Sequence, residues 1–258
     1  MDFKDQLQRT VSLKNTPARI VSLVPSQTEL LVDLGLRDRI VGITKFCVHP
    51  KNLRESAVVV GGTKSVHIDK IEELNPDIII CNKEENTAEM VAELEEIATV
   101  WVSDIISIED SFDMILKLGE IFDVSDNAKK LVSNLIQKRD EFYDFIKNRP
   151  SLKVFYLIWK NPYMCVGDGT FINTILELNN FENLGKRFDT RYPEISEDNF
   201  QTADIIFLST EPYPFKEEDV QIFQKNLNVN VKLVNGEYFS WYGSRLLDAF
   251  NYFKQLHA

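Results

Sequence analysis

The sequence has few of the residues on which disulfide, zinc and multi-histidine sites depend. Its 258 residues include three cysteines and three histidines, and the cysteines are odd in number and far apart. This pattern excludes a disulfide framework and a Cys/His zinc motif. Cys47 and His49 share one segment, but a thiolate and an imidazole alone do not complete a metal site. We therefore predict no metal site, and packing of Cys47 beneath its loop is the favoured interpretation.

Long apolar runs and nucleotide-binding motifs are also absent from the sequence. No apolar stretch approaches the roughly 18 residues that a membrane span requires. The polar N-terminus MDFKDQLQRT does not have the layout of a secretory signal. GxGxxG, GxxxxGK[ST] and GxSxG motifs are missing, which argues against dinucleotide, triphosphate and serine-hydrolase chemistry. We predict a chain without a cofactor that either works in the cytoplasm or derives from an exported precursor.

The charge balance argues against a nucleic-acid partner. The chain has 29 Lys and Arg against 40 Asp and Glu, which gives a formal net charge of −11. Such a chain repels phosphate backbones. Hydrophobic residues make up 44% of the sequence, which is enough to form the core of one large domain or of two ordinary ones.

Short apolar strands alternate with amphipathic helices in both halves of the chain. In the first half we predict strands at 19–24, 39–44, 58–60, 77–81 and 99–102, and helices at 26–35 (with Ser26 as N-cap), 68–74 and 86–97. In the second half we predict strands at 153–158, 204–208 and 229–234, and helices at 170–178, 195–201, 217–224 and 242–256. The segment NPDIIIC at 75–81 is echoed by TADIIFL at 202–208. This alternation is typical of α/β lobes with parallel sheets.

One long run of helical periodicity separates the two halves. From Ser111 to Asn148, apolar residues recur every three or four positions over about ten turns. Gly119 and the segment DVSD are the places where this run can bend. We predict an N-terminal α/β lobe at 1–110, a connecting helix at 111–148 and a C-terminal α/β lobe at 149–258. A single stiff connection predicts little hinge closure on ligand binding.

Several segments together resemble the helical-backbone (class III) substrate-binding proteins of ABC importers, which include binders of cobalamin, ferric siderophores and haem. The matching segments are RIVSLVPSQTELLVDLG, VGITKFCVHP, GGTKSVHIDKIEELNPDIIICN, FYLIWKNPYMCVGDGTFINTIL, RYPEISEDNFQTADIIFLS and FSWYGSRLLDAF. They occur in order from residue 19 to residue 250, and their order is most similar to that of the cobalamin-binding members. The resemblance implies an α/β fold of two Rossmann-like lobes joined by one long helix, with the ligand in the cleft between them.

The resemblance also implies a function without catalysis. The protein would capture a bulky metal chelate, such as a cobalamin, a ferric siderophore or haem, and deliver it to an ABC permease at the membrane. A monomer in the periplasm, or on the outer side of the membrane, is expected. The alternative is a cytoplasmic chelate-handling protein or enzyme that retains the bilobal fold, motivated by the missing signal sequence and by the Cys47 and His49 pair. A sensor or scaffold is a third, weaker interpretation.

Large flat or charged side chains are concentrated in the predicted loops at the strand ends. The predicted ligand-binding residues are Trp159, Trp241, Tyr242, Arg245, Tyr163, Phe46, His49, Lys83 and Arg191. Aromatic rings with Lys and Arg suit a bulky, planar, anionic ligand. Packing at the edge of a lobe is the alternative role for each of them. Asn82 stands where cobalamin binders can carry a tryptophan, which argues against a corrin ligand.

Acidic side chains are the predicted contacts with the permease. In this family an acid on each lobe pairs with permease arginines. The resemblance points to Glu85 and Glu89 in the first lobe, which their spacing places on one helix face. In the second lobe it points to Glu197 and Asp198. Stabilisation of a helix N-terminus explains these acids equally well.

Overall fold

Two α/β units make up the fold. The computed structural model describes residues 1–227 and 229–257. Unit 1 comprises Met1–Ile105, Glu109–Ile136 and Tyr242–Arg245, whereas unit 2 comprises Ile106–Ile108, Gln137–Trp241 and the residues from Leu246 onward.

Unit 1 contains a parallel sheet, as the sequence predicts. Its strands are β1 (Asp2–Lys4), β2 (Thr10–Ser12), β3 (Ile20–Ser22), β4 (Ile40–Ile43), β5 (Val58–Val59), β6 (Ile78–Asn82) and β7 (Thr99–Ser103). Its helices are α1 (Pro25–Asp33), α2 (Ile68–Glu73), α3 (Ala88–Glu95), α4 (Ile108–Ile121) and the first part of α5 (Ser125–Ile146). Strands β3 to β7 form a five-stranded sheet in the order β5-β4-β3-β6-β7, and β1 pairs with β2 in an antiparallel hairpin. Strand β6 is buried along its whole length because the core covers both faces of the sheet.

Helix α1 begins one residue before the predicted N-cap. Pro25 is the first helical residue, and Val24 is the cap residue without a side-chain hydrogen bond. Ser26 therefore lies inside the helix, which corrects its predicted role as N-cap. Proline suits the first position of a helix because its missing N–H has no partner there in any case.

Unit 2 contains a mixed sheet. Its strands are β8 (Leu152–Trp159), β9 (Tyr163–Cys165), β10 (Phe181–Asn183), β11 (Glu194–Ile195), β12 (Ile205–Ser209) and β13 (Asn230–Val234). Its helices, besides the end of α5, are α6 (Phe171–Leu178), α7 (Glu197–Phe200), α8 (Glu217–Asn226), α9 (Gly236–Ser240) and α10 (Leu246–Leu256). The strand order is β11-β9-β8-β12-β13, with β10 beside β8. The pairs β8–β9 and β9–β11 are antiparallel, whereas β8–β10, β8–β12 and β12–β13 are parallel.

Two details of unit 2 differ from the sequence predictions. The strand predicted at 153–158 runs from Leu152 to Trp159, and a turn then leads into β9 at Tyr163, a strand that was not predicted. The helix predicted at 195–201 is shorter, because β11 takes its first residue and α7 covers only Glu197–Phe200.

The two similar segments, 75–81 and 202–208, have the same structural role in their respective units. Asp77 precedes β6, and its Oδ2 accepts hydrogen bonds from the backbone N–H groups of Ala18 and Arg19 at 2.7 and 2.8 Å. Asp204 precedes β12, and its Oδ2 accepts a hydrogen bond from the N–H of Lys153 at 2.7 Å. Each carboxylate thus ties the start of one strand to the segment at the start of its parallel neighbour.

The long helical run is two helices and not one. Helix α4 ends at Ile121 and α5 begins at Ser125. Asp123 has a φ of 58°, and the N–H of Val124 donates to the carbonyl of Gly119 at 2.8 Å. This is a Schellman-type termination, in which a residue in the left-handed region closes the helix. None of the helices in residues 1–227 and 229–257 is long and apolar enough to cross a bilayer.

The chain also returns to unit 1 near its C-terminus. Residues Tyr242–Arg245 belong to unit 1, although the sequence places them in the C-terminal lobe. The N–H of Gly243 donates to Ser111 Oγ at 3.0 Å, which holds this segment against α4. The chain passes between the units on either side of Ile106–Ile108, within α5 after Ile136, and on either side of Tyr242–Arg245. The helix predicted at 111–148 is therefore not the single connection between the two units.

Candidate ligand-binding site

The carboxyl ends of the parallel strands carry the polar candidate residues of unit 1. In the order β5-β4-β3-β6-β7, the chain moves outward from β3 to β5 and then returns to β6 on the other side of β3. Open α/β sheets bind ligands at such a switch point. Three buried polar side chains meet there. Gln27 Nε2 and Asn82 Nδ2 donate to Ser103 Oγ at 2.5 and 3.0 Å.

Tyr242 fills this switch point. Gln27 Nε2 lies 3.0 Å from Tyr242 Oη, and the tyrosine is only 7% exposed. Burial raises the pKa of Tyr242 above its usual range, and the hydrogen bond with Gln27 opposes the shift. The side chain therefore closes the crevice of unit 1 and offers little surface to a ligand.

Arg245 is held in an ion pair beside Tyr242. Its Nε and Nη2 atoms donate to the two carboxylate oxygens of Glu29 in α1, at 2.7 and 2.5 Å. The side chains of Arg245 and Glu29 are 10% and 18% exposed. This bidentate pair fixes the returning segment of the chain to α1.

An open basic groove lies at the carboxyl ends of β4 and β5. Its volume is about 770 Å³, and its charged lining consists of Lys45, Lys64, His67 and Lys70. Phe46 forms part of the wall, is 48% exposed, and has Lys45 Nζ 5.1 Å from its ring centroid. We refer to this feature as the basic groove.

Two other predicted residues of unit 1 lie outside the lining of the basic groove. His49 is partly exposed. Lys83 follows β6, and its Nζ pairs with Asp104 at 2.6 Å on the exposed surface. The structure therefore brings Phe46 into the lining of the basic groove but not His49 or Lys83.

The carboxyl edge of the sheet in unit 2 carries an aromatic pair, an exposed Trp159 and a partly exposed Tyr213. Trp159, the last residue of β8, is 42% exposed, and its ring meets Tyr213 edge-on with centroids 5.6 Å apart. Lys160 Nζ pairs with Asp219 at 2.5 Å close by. Tyr163 is directed into the core, where it packs against Phe200 and Phe223 with centroid distances of 5.4 Å. Trp159 thus has accessible area for stacking, whereas much of Tyr163 is used for packing.

Trp241 and Arg191 are the remaining predicted ligand residues of unit 2. Trp241 follows α9 and is 8% exposed, so most of its surface is already buried. Arg191 Nε donates to the carbonyl of Gly169 at 3.0 Å, and its guanidinium lies 5.8 Å from the centroid of Tyr192. Trp241 is therefore mostly covered, and Arg191 has partners within unit 2.

The predicted docking acids differ in their surroundings. Helix α3 begins at Ala88 with Thr87 as its N-cap, so Glu85 lies in the preceding turn and does not share a helix face with Glu89. Burial raises the pKa of Glu85, and the charge of Lys64 opposes this shift. Glu89 is exposed, and hydrogen bonds from its own backbone N–H and from Thr87 lower its pKa. Glu197 and Asp198 are exposed in the first turn of α7.

Cys47 is buried, as the packing interpretation predicts. Its Sγ lies 3.1 Å from Thr28 Oγ1 and 3.3 Å from Thr44 Oγ1. Burial raises the pKa of this thiol, and the two threonine hydrogen bonds oppose the shift. Within the described residues, no group of three or more His, Cys, Asp or Glu is arranged to hold a metal ion.

Comparison with known proteins identifies the family of this chain. The family described as "Periplasmic binding protein" matches residues 20–229, which is more than half of the chain. The chain belongs to the periplasmic binding protein family. This confirms the resemblance found in the sequence, and it favours a binding protein over the enzyme alternative, because the family consists of binding proteins.

Individual relatives within and around the family are distant. An uncharacterized ABC transporter substrate-binding lipoprotein of Bacillus subtilis, YvrC, is 27% identical over 187 residues, which are 69% of this chain and 59% of that protein. The aligned part thus spans less than two thirds of the lipoprotein.

Solved structures share the fold. The periplasmic vitamin B12 binding protein BtuF of Vibrio cholerae matches with a TM-score of 0.79 and 21% identity over 93% of this chain and 96% of its own. A periplasmic heme binding protein of Pseudomonas aeruginosa matches with a TM-score of 0.81 and 20% identity over 93% of this chain and 92% of its own. These matches confirm the predicted bilobal α/β fold class.

Three residues of the aromatic pair and the basic groove were not predicted from the sequence. Tyr213 follows β12 and contacts Trp159, and Lys64 and Lys70 line the basic groove. The rule that loops after strands carry the site applies to Tyr213 and Lys64 as well as to Trp159. These two residues were therefore within reach of the sequence.

Proposed function

We propose that this protein is the substrate-binding subunit of an ABC importer, which binds a bulky metal chelate and delivers it to a membrane permease. The match of residues 20–229 to the periplasmic binding protein family carries this proposal. Relatives and neighbours named for ABC transport, vitamin B12 and heme support it. The proposed action is binding without catalysis, by a monomer outside the cytoplasm.

The chemistry of the two strand edges supports a ligand with a large flat or anionic surface. Trp159 and Tyr213 present an aromatic pair in unit 2, and Phe46 stands exposed beside lysines in unit 1. Aromatic rings bury a large area at a low cost in side-chain entropy. Trp159, Tyr213 and Phe46 are the ligand contacts that we propose first. Tyr242 and Arg245 come after them because they have partners within unit 1, and Trp241 because it is only 8% exposed.

We also propose Asp69 and Asp198 as the acids that dock on the permease, one from each unit. Each is the second residue of a short helix, α2 or α7, and each is exposed. Each stands two positions before a buried apolar residue, Ile71 or Phe200, in the helix that leads to β6 or β12. The repeated position supports this pair over Glu85, whose carboxylate is partly buried.

A titration of intrinsic tryptophan fluorescence tests the proposed function. Cobalamin, haem, a ferric tricatecholate and a ferric trihydroxamate are added to the purified protein, and calorimetry confirms each response. We expect at least one chelate to bind with a Kd below about 1 μM, which corresponds to about −8 kcal/mol. Failure of all four to bind at that level contradicts the proposal.

The variant Trp159→Ala tests the aromatic contact. We expect it to weaken binding by about tenfold or more, because exposed aromatic anchors dominate binding energy. The matched control is Tyr143→Ala, which removes a 50% exposed aromatic side chain from α5 in the same unit. Equal affinities for the two variants would remove Trp159 from the site.

A further inference from the structure

We infer that the ligand is an anionic chelate whose acidic groups are bound by the basic groove of unit 1, through Lys45, Lys64 and Lys70. This inference rests on the proposed function, because it specifies the charge class of the ligand that the protein would carry. It also identifies two lysines, Lys64 and Lys70, that the resemblance does not single out.

The backbone around the basic groove is firmly held. The N–H of Lys45 donates to the carbonyl of Gly61 at 2.7 Å, and the N–H of His67 donates to the carbonyl of Val60 at 2.8 Å. Gly61 forms an antiparallel bridge with Val66. Asn86 Nδ2 donates to the carbonyl of Thr63 at 2.9 Å and joins this turn to the loop after β6. The lysines therefore extend from a fixed frame, which lowers the entropic cost of binding.

Gly61 is required by this tight turn. Its φ is 135°, and a Cβ atom built there would lie 2.6 Å from the carbonyl oxygen of Ser65. A side chain at this position would displace the backbone that carries Lys64. Glycine is therefore the one residue that fits position 61 without moving the backbone of the turn.

The charge of the basic groove is opposite to that of the whole chain. The residues that line it include three lysines and His67, whereas the chain has a net charge of −11. Glu85, outside this lining, is the acid whose charge interacts with that of Lys64. Lys64 Nζ donates to the carbonyl of Glu84 at the rim, and Lys45 lies over the ring of Phe46. A cluster of like charges in a concave surface focuses a positive potential and attracts anions.

The size and composition of the groove fit part of a chelate and not a single small ion. A volume of about 770 Å³ is within the range of ordinary ligand sites. An exposed phenylalanine beside lysines suits a ligand with flat rings and peripheral carboxylates or phenolates. Haem with its propionates and ferric catecholates have this chemistry. Cobalamin, with its mostly amide periphery, and ferric trihydroxamates do not.

Two triple variants test the inference. The first, Lys45→Gln/Lys64→Gln/Lys70→Gln, removes the charges of the basic groove. The matched control, Lys14→Gln/Lys129→Gln/Lys130→Gln, removes three exposed lysines from the same unit. Circular dichroism establishes that both are folded, and the three single groove variants replace the triple one if it is not. Calorimetry then measures haem, ferric tricatecholate, ferric trihydroxamate and cyanocobalamin binding.

We expect the wild-type protein to prefer haem or the tricatecholate. The groove variant should lose about tenfold to a hundredfold in affinity for it, and the control variant should lose little. Raising the salt concentration to about 0.5 M should weaken binding to the wild-type protein more than to the groove variant. Equal loss in both triple variants overturns the inference.

The same panel separates this inference from the proposed function. Tight binding of cyanocobalamin or the trihydroxamate, with no effect of the groove lysines, leaves the proposed function intact and overturns the inference alone. If none of the four chelates binds, the proposed function fails and the inference fails with it.

Discussion

At the scale of single residues, the ion pair between Arg245 and Glu29 shows how a predicted ligand residue can serve the fold. Arg245→Ala leaves the Glu29 carboxylate, only 18% exposed, without its bidentate partner. We expect this change to lower the free energy of unfolding by about 2–3 kcal/mol. Urea unfolding of the wild type, both single variants and Glu29→Ala/Arg245→Ala measures the pair's coupling. A coupling energy near zero would show that the pair contributes nothing to stability.

The sequence could not reveal the roles of Tyr242 and Arg245. Their partners, Gln27 and Glu29, are 215 and 216 residues away along the chain. A single sequence shows that Tyr242 and Arg245 are large and polar, but it does not show which distant side chains satisfy them. The positions of Phe46 and Trp159 near strand ends could be predicted, because Phe46 comes shortly after β4 and Trp159 ends β8. Their role in ligand binding stays a prediction.

At the scale of secondary-structure elements, the turn between α4 and α5 depends on two small features. Asp123 has a φ of 58°, and a Cβ atom on Gly119 would lie 2.5 Å from Ala128 Cβ. We expect Asp123→Gly to raise the free energy of unfolding by about 0.5–1 kcal/mol, because glycine adopts this conformation without strain. We expect Gly119→Ala to lower the free energy of unfolding by about 1–3 kcal/mol, because the added methyl group would overpack the contact with Ala128. Thermal unfolding measures both, and a stabilising Gly119→Ala would contradict the close approach.

Some strands can be predicted from the sequence and others cannot. Strands β6 and β12 are buried along their whole length, and their runs of isoleucine and other apolar residues are visible without the structure. Strands β9 and β11 have three and two residues, which is too short for any period to be read. They form because β8 offers them an edge to pair with, directly or through β9. The left-handed residue Asp123 was likewise hidden, because helical periodicity continues on both sides of it.

At the scale of the whole molecule, the net charge of −11 means that exposed acids alone cannot identify a docking surface. The repeated position of Asp69 and Asp198 in α2 and α7 is a stronger criterion, because the same place in two similar units is occupied by the same chemistry. Since the proposed docking pairs these acids with permease arginines, reversing their charge places like charges opposite each other.

The docking proposal predicts that charge reversal at Asp69 or Asp198 reduces delivery to the permease without changing chelate binding. Asp69→Arg and Asp198→Arg should each bind the chelate as the wild-type protein does, because neither residue belongs to the lining of the basic groove or to the aromatic pair of Trp159 and Tyr213. Each should reduce uptake by about tenfold or more in vesicles that contain an ABC permease served by the wild-type protein, because opposed like charges cost several kcal/mol. Glu93→Arg, which reverses an exposed acid of α3 outside the predicted docking acids, is the matched control and should retain uptake. An equal loss with Glu93→Arg would make the effect one of general charge, and a loss of chelate affinity in either aspartate variant would assign that residue to the ligand site.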